Sequence, residues 1–548
     1  MMDFLEKHFD TAFSAPNGIK KLRELILTLA MQGKLVPQDP SDQPASELLK
    51  DIKKEKDKLI AEGKIKKQKD LPPIKPEEIP YELPKDWKWV RLDTFTSIIM
   101  GQSPNSDSYN ENQEGLPFFQ GKSEYGSVYP TPRKWCSNPV KIAPVDSILI
   151  SVRAPVGPTN ICNIEACIGR GLSAIVPLAN MPVFFLLYLF RSKENYISSL
   201  GAGSTFTAIT LRILENLVMP LPPLAEQKRI VEKIDLLLAR CDKLEKLKNE
   251  KEQQRLDVHK SAIHKLVNTE ELNGSWSFIK DNFSELYSVK ENIAELRKAI
   301  ISLAMQGKLV PQDPNDQPAS ELLKDIQKEK EKLIKEGKIK NQKPLPPIKP
   351  EEIPYELPES WEWVRFGQIS QHNSGKTLDK SRNKGELRNY ITTSNLYWGH
   401  FLLDNLKQMP FKLEELDRCS AKNGDLLICE GGEAGRASVW NFDYEICFQN
   451  HIHRARFYYG IDSYYSFRFF EKLNATGEIN SYRKGVAISN MSSKSLASII
   501  FPLPPVEEQK RIVEKIDQLI DLCDELEAQI DSSEATQTSL LNSIIAQV

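Results

Sequence analysis

The apolar positions near the start of the chain fall at helical spacing in two stretches. The first stretch predicts a helix that ends at Gly33, a typical C-terminal cap; its apolar positions are Ile19, Leu22, Leu25, Ile26 and Leu29. The second predicts a helix that opens after Asp42 and Pro44 and ends at Gly63; its apolar positions are Leu48, Leu49, Ile52, Leu59 and Ile60. Both patterns are amphipathic, so each helix is expected to bury one face.

Two later stretches alternate apolar steps of three and four residues, the spacing of a coiled-coil seam. One seam comprises Ile230, Ile234, Leu237, Cys241, Leu244, Leu256, Ile263 and Leu266, interrupted by Lys248 and Lys251. The other comprises Ile512, Ile516, Leu519, Cys523, Leu526, Ile530, Leu540 and Ile544. Each predicts roughly 65 Å of helix at about 1.5 Å per residue. We expect the two seams to pack as an antiparallel rod; ordinary amphipathic bundle helices are the alternative.

The helical regions recur almost letter for letter. Residues 29–91 return at 303–365 with 54 of 63 positions identical, and residues 221–235 return at 503–517. The blocks 29–91 and 303–365 each contain a proline-rich strap near their end, at 71–84 and 345–358. The proline density of the strap favours an extended, semi-rigid spacer. Between the repeated blocks lie two segments that barely resemble each other, which we call insert 1 (85–220) and insert 2 (359–502).

The inserts have short β-rich runs, such as 147–152 and 425–429, between Gly, Pro and Asn turns. Weak matches between the inserts, including Gly101 with Gly375 and Gly157 with Gly435, indicate one ancestral fold. The predicted fold class is therefore mixed α/β: two α/β domains separated by long helices that form an antiparallel coiled coil, with an internal pseudo-two-fold repeat. The predicted domains are a helical repeat with strap (1–84), insert 1, a central repeated helical region with strap (221–358), insert 2, and a C-terminal coiled-coil helix (503–548).

Composition places the chain among ordinary soluble proteins. Of its residues, 27% are charged, and the formal net charge is −2, although each insert by itself is +2. Eight scattered cysteines without a Cys-x-x-Cys pair indicate a reduced, cytoplasmic protein. The first ten residues are charged throughout, so no signal peptide is expected, and the most apolar run (181–190) is too short to span a membrane.

Catalytic motifs are missing from the sequence. Gly121-Lys-Ser and Gly375-Lys-Thr lack the glycine that a phosphate-binding loop needs five residues earlier. Neither methyltransferase tetrapeptides nor a nuclease core appears, and His451-x-His453 has no matched cysteine or carboxylate pair for a metal. We therefore predict no catalytic residues, no metal site and no cofactor bound by this chain.

Basic residues lie beside aromatic residues in the polar loops of both inserts, a pattern that favours nucleic-acid contact. A solvated surface is the alternative for each residue. The candidate DNA contacts are Lys122, Arg133, Lys134, Arg153 and Arg170 in insert 1, and Lys376, Arg382, Lys384, Arg388, Arg436, Arg454, Arg483 and Lys484 in insert 2.

Several motifs resemble those of the specificity (S) subunit of type I restriction–modification enzymes, over almost the whole chain. Each insert begins with Leu-Pro-x-x-Trp, at 83–87 and 357–361, and leads into Leu-Pro-Pro-x-x-Glu-Gln-Lys-Arg-Ile-Val, at 221–231 and 503–513. Gly-Asp-Leu-Leu at 424–427 and Ile-Gly-Arg-Gly-Leu at 168–172 also look like family signatures. Insert 2 departs from the latter, with Cys-Phe-Gln-Asn-His at 447–451, so that signature is not a contact common to both halves.

The resemblance implies that each insert is a target recognition domain for one half of a bipartite double-stranded DNA sequence. It implies that the repeated helices dock two methyltransferase (M) subunits, which use S-adenosylmethionine, and that motor-nuclease (R) subunits using ATP and Mg join for restriction. The expected docking residues are Glu226, Gln227, Arg229, Glu508, Gln509 and Arg511. A single-chain nuclease or methyltransferase, and a structural coiled-coil adaptor, are the alternative functions.

Overall fold

The computed structural model describes residues 14–67, 71–201, 208–268, 272–341, 343–379, 383–484 and 489–546. They form two compact units: unit 1 combines Met1–Glu250 with Glu534–Val548, and unit 2 is Lys251–Ser533. Within the described ranges, no helix has both the length and the apolar character that a membrane crossing requires.

The helices alternate between long frame helices and short helices inside the inserts. They are α1 (Gly18–Met31), α2 (Ala45–Ala61), α3 (Leu92–Phe95), α4 (Val183–Ser192), α5 (Glu194–Leu200), α6 (Leu211–Glu215), α7 (Leu224–Asn268), α8 (Leu272–Asp281), α9 (Phe283–Leu286), α10 (Lys290–Met305), α11 (Ala319–Lys335), α12 (Phe366–Ile369), α13 (Leu413–Cys419), α14 (Ser463–Ala475), α15 (Ser493–Ser498) and α16 (Val506–Ala546).

The strands belong to the inserts and their boundaries. They are β1 (Lys88–Arg91), β2 (Thr96–Met100), β3 (Tyr109–Asn110), β4 (Leu116–Phe119), β5 (Trp135–Cys136), β6 (Ile142–Ala143), β7 (Ser147–Ser151), β8 (Thr159–Cys162), β9 (Ala166–Ile168), β10 (Leu172–Pro177), β11 (Val218–Leu221), β12 (Glu362–Arg365), β13 (Ser370–Ser374), β14 (Glu386–Ile391), β15 (Leu396–Tyr397), β16 (His400–Phe401), β17 (Lys407–Phe411), β18 (Ser420–Ala421), β19 (Leu426–Cys429), β20 (Gly431–Gly432), β21 (Ala437–Val439), β22 (Ile446–Phe448), β23 (Ile452–Phe457), β24 (Ser489–Asn490) and β25 (Ile500–Leu503).

The predicted helices and their ends are confirmed in both copies. Helix α1 ends before Gly33, and α10 ends before Gly307; both glycines have a positive φ, +71° and +69°. A Cβ at Gly33 would lie 2.4 Å from Cγ of Pro84, and one at Gly307 equally close to Pro358. Glycine is therefore required at these ends both by the backbone conformation and by the close approach of the strap.

The two inserts share a topology that their sequences barely show. Insert 1 has a four-stranded antiparallel sheet, β2-β10-β7-β8, and insert 2 has its counterpart, β13-β23-β19-β21. Beside it lies a second sheet that contains one parallel pair, β4 with β9 in insert 1 and β14 with β22 in insert 2. The prediction of mixed α/β domains with one common fold is confirmed.

An antiparallel strand pair closes each insert at its two ends. Lys88 lies opposite Leu221 in the β1–β11 pair, and Glu362 lies opposite Leu503 in the β12–β25 pair. The chain therefore enters and leaves each insert at one place, with the same register in both copies.

Each seam packs first on the helices of its own copy. In unit 1, Ile230, Ile234 and Cys241 of α7 share a buried cluster with Ile26 and Ala30 of α1. In unit 2, the equivalent α16 residues Ile512, Ile516 and Cys523 share a cluster with α10. The end of α16 returns to α1 in unit 1, where Leu541 and Ile544 pack with Leu25. The long helices are confirmed, and the full-length antiparallel pairing of α7 with α16 stays a prediction.

A buried arginine fastens each strap. Arg91 donates to both carboxylate oxygens of Glu78, at 3.0 Å each, and to the carbonyl oxygens of Pro72, Pro73 and Asn216. Arg365 makes the same set of contacts with Glu352, Pro346, Pro347 and Ser498. Proline cannot donate a backbone hydrogen bond, so the strap depends on donors supplied by the insert.

We predict that Arg91→Lys weakens the attachment of the first strap (71–84) to insert 1. Lysine keeps the charge but lacks the planar fork that reaches the carboxylate and three carbonyl groups at once. Limited proteolysis should cut residues 71–84 several-fold faster in the variant than in the parent chain. Lys88→Arg, an exposed change on the same strand, is the control and should leave the cleavage rate unchanged.

Candidate nucleic-acid interface

A buried carboxylate joins the parts of each copy at the base of the insert. Glu226, 1% exposed, accepts hydrogen bonds from Nε1 of Trp87 at 2.9 Å and Nε2 of Gln38 at 2.6 Å. Glu508 accepts the equivalent pair from Trp361 at 3.0 Å and Gln312 at 2.7 Å. The first residues of a long helix are thus connected to the insert entrance and to the loop between the two shorter helices.

Ion pairs one helical turn further on repeat the connection. Arg229 holds Asp42 through two hydrogen bonds of 2.7 and 3.1 Å, and Arg511 holds Asp316 in the same way. Gln227 and Gln509 are fully buried and donate to the carbonyl oxygens of Pro222 and Pro504. We call this set of contacts, together with those of Glu226 and Glu508, the base lock.

The base lock corrects four of the six expected docking residues. Glu226, Gln227, Glu508 and Gln509 are buried and hydrogen-bonded within the chain, so their side chains are not available to a partner. Arg229 and Arg511 pair with Asp42 and Asp316 but are partly exposed, so their docking role stays a prediction. The Leu-Pro-Pro-x-x-Glu-Gln motif recurs because both copies need the same internal contacts.

Burial perturbs the titration of the two lock carboxylates. It raises the pKa of Glu226 and of Glu508 above the usual value of 4.5, even though the tryptophan and glutamine donors oppose the shift. The charged form of each carboxylate is therefore less favourable in the folded chain than in the unfolded chain.

Insert 1 carries a cleft of about 590 Å³ lined by basic and neutral polar residues. Lys122, Arg153 and Arg170, three of the predicted DNA contacts, line it together, and its ten lining residues include no carboxylate. Ser103, Tyr109 and Gln120 complete the polar lining. The sequence did not single these three out, because their only signal is a place on strands or turns next to the basic residues.

Arg170 stands on a tightly fixed loop between β9 and β10. The backbone N–H of Gly169 donates to the Phe119 oxygen at 2.8 Å, and a Cβ at Gly171 would lie 2.2 Å from the Gln120 oxygen. Glycine on both sides thus lets the backbone of this loop lie against β4. Arg170 itself is exposed at the tip.

The remaining insert 1 candidates, Arg133 and Lys134, are also exposed but lie outside the residues that line the cleft. They stay predictions.

Two insert 2 candidates are wrong, because their side chains belong to the interior. Lys376 is 6% exposed and donates to Glu415 at 2.5 Å and to the Pro410 oxygen at 2.9 Å. Arg454 is fully buried and donates to the carbonyl oxygens of Asp417 and Ser420, and burial lowers its pKa to about 10. Neither side chain can reach a DNA duplex from these positions.

Three further insert 2 candidates are partly buried and hold loops together. Arg436 pairs with Glu433 and donates to the Thr393 oxygen, while its guanidinium group lies 5.0 Å from the ring centre of Tyr397. Arg483 donates to the Ala434 oxygen at 2.7 Å, and Arg388 pairs with Glu386. These contacts favour a structural role over DNA binding.

The last insert 2 candidates remain open. Lys384 and Lys484 are exposed, while Arg382 lies outside the described residues. His453 is buried, with Nε2 2.9 Å from the Met491 oxygen, whereas His451 is exposed. Across the described ranges, no group of three or more His, Cys, Asp or Glu side chains could hold a metal ion.

The signature loop of insert 1 has a structural counterpart in insert 2. Gln102 N donates to the Ile168 oxygen and Gly101 N to the Leu172 oxygen; Lys376 N and Gly375 N donate in the same order to Phe448 and Ile452. Residues 168–172 and 448–452 therefore occupy equivalent places, although only the first has the Ile-Gly-Arg-Gly-Leu sequence. Arg170 corresponds to Asn450.

Two α/β domains with one topology, unlike loops and the same base lock define a protein with tandem binding domains on a repeated helical frame. The family model for the type I restriction modification DNA specificity domain matches residues 84–253 and 358–533. The chain belongs to this family.

Curated relatives agree over nearly the full length. The EcoAI specificity subunit of Escherichia coli is 34% identical over 96% of this chain and 93% of its own length. The EcoEI specificity subunit of the same species is 32% identical over the same shares. A solved structure of the HsdS subunit from Thermoanaerobacter tengcongensis is 42% identical and covers 37% of this chain and 47% of that chain, with a TM-score of 0.29. None of these matches indicates a catalytic family.

Trp87→Phe tests the base lock in the first copy. Phenylalanine fills most of the space but leaves one oxygen of buried Glu226 without its donor, which costs about 1–3 kcal/mol. The free energy of unfolding in denaturant should fall by that amount. Trp89→Phe is the matched control, since Trp89 donates only to the Tyr81 oxygen at the half-buried strap, and it should cost less. Equal losses in both variants would contradict a special role for Glu226.

The raised carboxylate pKa values predict a pH effect with a defined sign. An acid whose pKa is higher in the folded state than in the unfolded state stabilises the fold below the unfolded value, near 4.5, and loses that contribution as pH rises through the folded value. In the double variant Glu226→Gln/Glu508→Gln, this pH-dependent loss of stability should be absent. Unfolding free energies measured from pH 4 upward should therefore converge or cross between parent and variant, and a constant difference at every pH would argue against the shift.

Proposed function

We propose that this chain is the DNA sequence-specificity subunit of a type I restriction–modification complex, and that each insert recognises one half of a bipartite duplex target. The supporting observation is one scaffold present twice, closed by the same lock, with different side chains at equivalent loop positions. Identical scaffolds bring two domains to DNA in the same manner, while unlike loops select different bases. An asymmetric, split target follows from that combination.

The proposed partners are double-stranded DNA, two methyltransferase (M) subunits and motor-nuclease (R) subunits. Two equal M sites are supported by the near-identity of 29–91 and 303–365, because repeated surfaces within one chain can bind two copies of one partner. S-adenosylmethionine would belong to the M subunits, and ATP and Mg to the R subunits. Removing the target adenine from the base stack would fall to the M subunit pocket.

Exchange of one insert tests this function. Residues 85–220 are replaced by the corresponding insert of another specificity subunit, with Trp87 and the 221–235 block retained so that the base lock still forms. After co-expression with the M subunit, mapping of methylated adenines across the host genome should show one new half-site and one unchanged half-site. The gap between them should keep its length.

Replacement of insert 2 (359–502), with Trp361 and the 503–517 block retained, serves as the reciprocal exchange and should change the other half-site alone. A change in both half-sites after either exchange would contradict independent recognition by the two inserts. Methyl transfer by the purified chain alone would favour a single-chain enzyme. An assembled complex without sequence-specific DNA binding would leave the structural adaptor as the better explanation.

A further inference from the structure

The basic side chains of the insert 1 cleft differ in their contacts from the described arginines of insert 2. Within the described part of the chain, the side chains of Lys122, Arg153 and Arg170 take part in no ion pair or hydrogen bond. The arginines that the structure describes in insert 2, by contrast, are paired with carboxylates or backbone oxygens, as Arg436 and Arg454 are. Unpaired cations in a cleft without a carboxylate favour a ligand that presents hydrogen-bond acceptors.

Equivalent positions of insert 2 carry neutral groups. Arg170 corresponds to Asn450 through the shared loop contacts. Arg153 corresponds to Gly431, because Arg153 bridges Ala208 where Gly431 pairs with Asn490, and both bridges follow the equivalent strands β7 and β19. The same two backbone positions thus carry two arginines in insert 1, and an asparagine and a glycine in insert 2.

Phosphate binding does not explain this difference well. Both inserts would face the same sugar–phosphate backbone, and a phosphate contact carries no sequence information, so a residue that serves it has no reason to change in character. Contacts to base edges must change when the half-sites differ. In the major groove, arginine fits the O6 and N7 acceptors of guanine, and asparagine fits the N6 and N7 edge of adenine.

The loop backbones are fixed closely enough for such selection. A Cβ at Gly101 would lie 2.2 Å from the Gly169 oxygen, and a Cβ at Gly375 would lie 2.2 Å from the Phe448 oxygen. Each loop is therefore pressed against the strand end that supports it. A side chain at its tip, Arg170 or Asn450, approaches a ligand from a backbone that is already in place.

We propose that Arg170 contacts a guanine in the half-site recognised by insert 1, and that Asn450 contacts an adenine in the half-site recognised by insert 2. Arg153 lines the same cleft as Arg170. This inference rests on the proposed function and adds to it the base class that each insert selects at one position.

The test uses Arg170→Asn and Asn450→Arg chains, each assembled with the M subunit. Adenine methylation is mapped genome-wide, and binding is titrated on duplexes that carry each base pair at every half-site position, at several salt concentrations. Arg170→Asn should reduce preference for one G·C pair in the first half-site by about 10- to 100-fold and leave the second half-site unchanged. Asn450→Arg should do the same at one A·T pair in the second half-site.

Arg212→Asn is the matched control, because Arg212 is an exposed arginine of insert 1 that lies outside the cleft lining. It should leave the methylated sequence unchanged. Thermal unfolding of all three variants should match the parent, since none of these side chains supports the core.

The contrary result is that Arg170→Asn weakens DNA binding equally for all sequences and lowers the magnitude of the slope of log affinity against log salt concentration by about one. That result would overturn the inference in favour of a phosphate contact. An unchanged preference at every position would also overturn it. If the parent complex recognises a bipartite target but neither variant alters the expected pair, the inference alone fails. If the parent complex recognises no sequence, the proposed function fails with it.

Discussion

The buried hydrogen bonds of Glu226 and Glu508 are the constraint on which the rest of the structure depends. Each carboxylate receives one donor from the insert entrance, Trp87 or Trp361, and another from the inter-helix loop, Gln38 or Gln312. An unsatisfied buried carboxylate is costly, so all three parts must meet for the fold to be stable. Since the carboxylate lies in the first turn of a long helix, that helix starts at a fixed place relative to the insert.

Fixing both ends of an insert at one place frees its interior to vary. Insert 2 is eight residues longer than insert 1, yet the closing strand pairs keep the same register. Length and sequence differences are absorbed in the loops and in the second sheet, where insert 2 has β17-β14-β22-β18 and insert 1 has β3-β5-β4-β9-β6. Binding surfaces can therefore change without disturbing the helices that carry them.

The sequence predicted the frame far better than the site. Helical spacing, capping glycines and the repeat gave α1, α2 and their copies, because these features act locally. The fate of a basic residue depends on distant neighbours. Lys122 and Lys376 both occur in Gly-Lys-Ser/Thr fragments, but Lys376 is buried by Glu415 and Pro410, more than thirty residues away in sequence, whereas Lys122 stays exposed.

The repeated exit motif was misjudged for a related reason. Charged and amide residues such as Glu226 and Gln227 are usually exposed, so an identical pair in two copies resembled a surface for two partners. Hydrogen bonds with Trp87, Gln38 and the Pro222 oxygen hold them in the interior, and nothing in the motif itself reveals these partners. Internal contacts account for identity at these positions without any partner.

Identity at exposed positions needs a different cause. The nine differences between 29–91 and 303–365 fall on exposed or half-buried residues wherever the structure describes them, as expected for positions that the fold tolerates. Yet many equally exposed residues do not differ: Lys50 and Lys324 are 66% and 65% exposed, and Lys54 and Lys328 are 78% and 75% exposed. Surface ion pairs of this kind contribute little to stability, so the fold does not require them. The similarity of these exposed positions on α2 and α11 therefore exceeds what folding requires, and it is the observation on which the proposed pair of equivalent M sites rests.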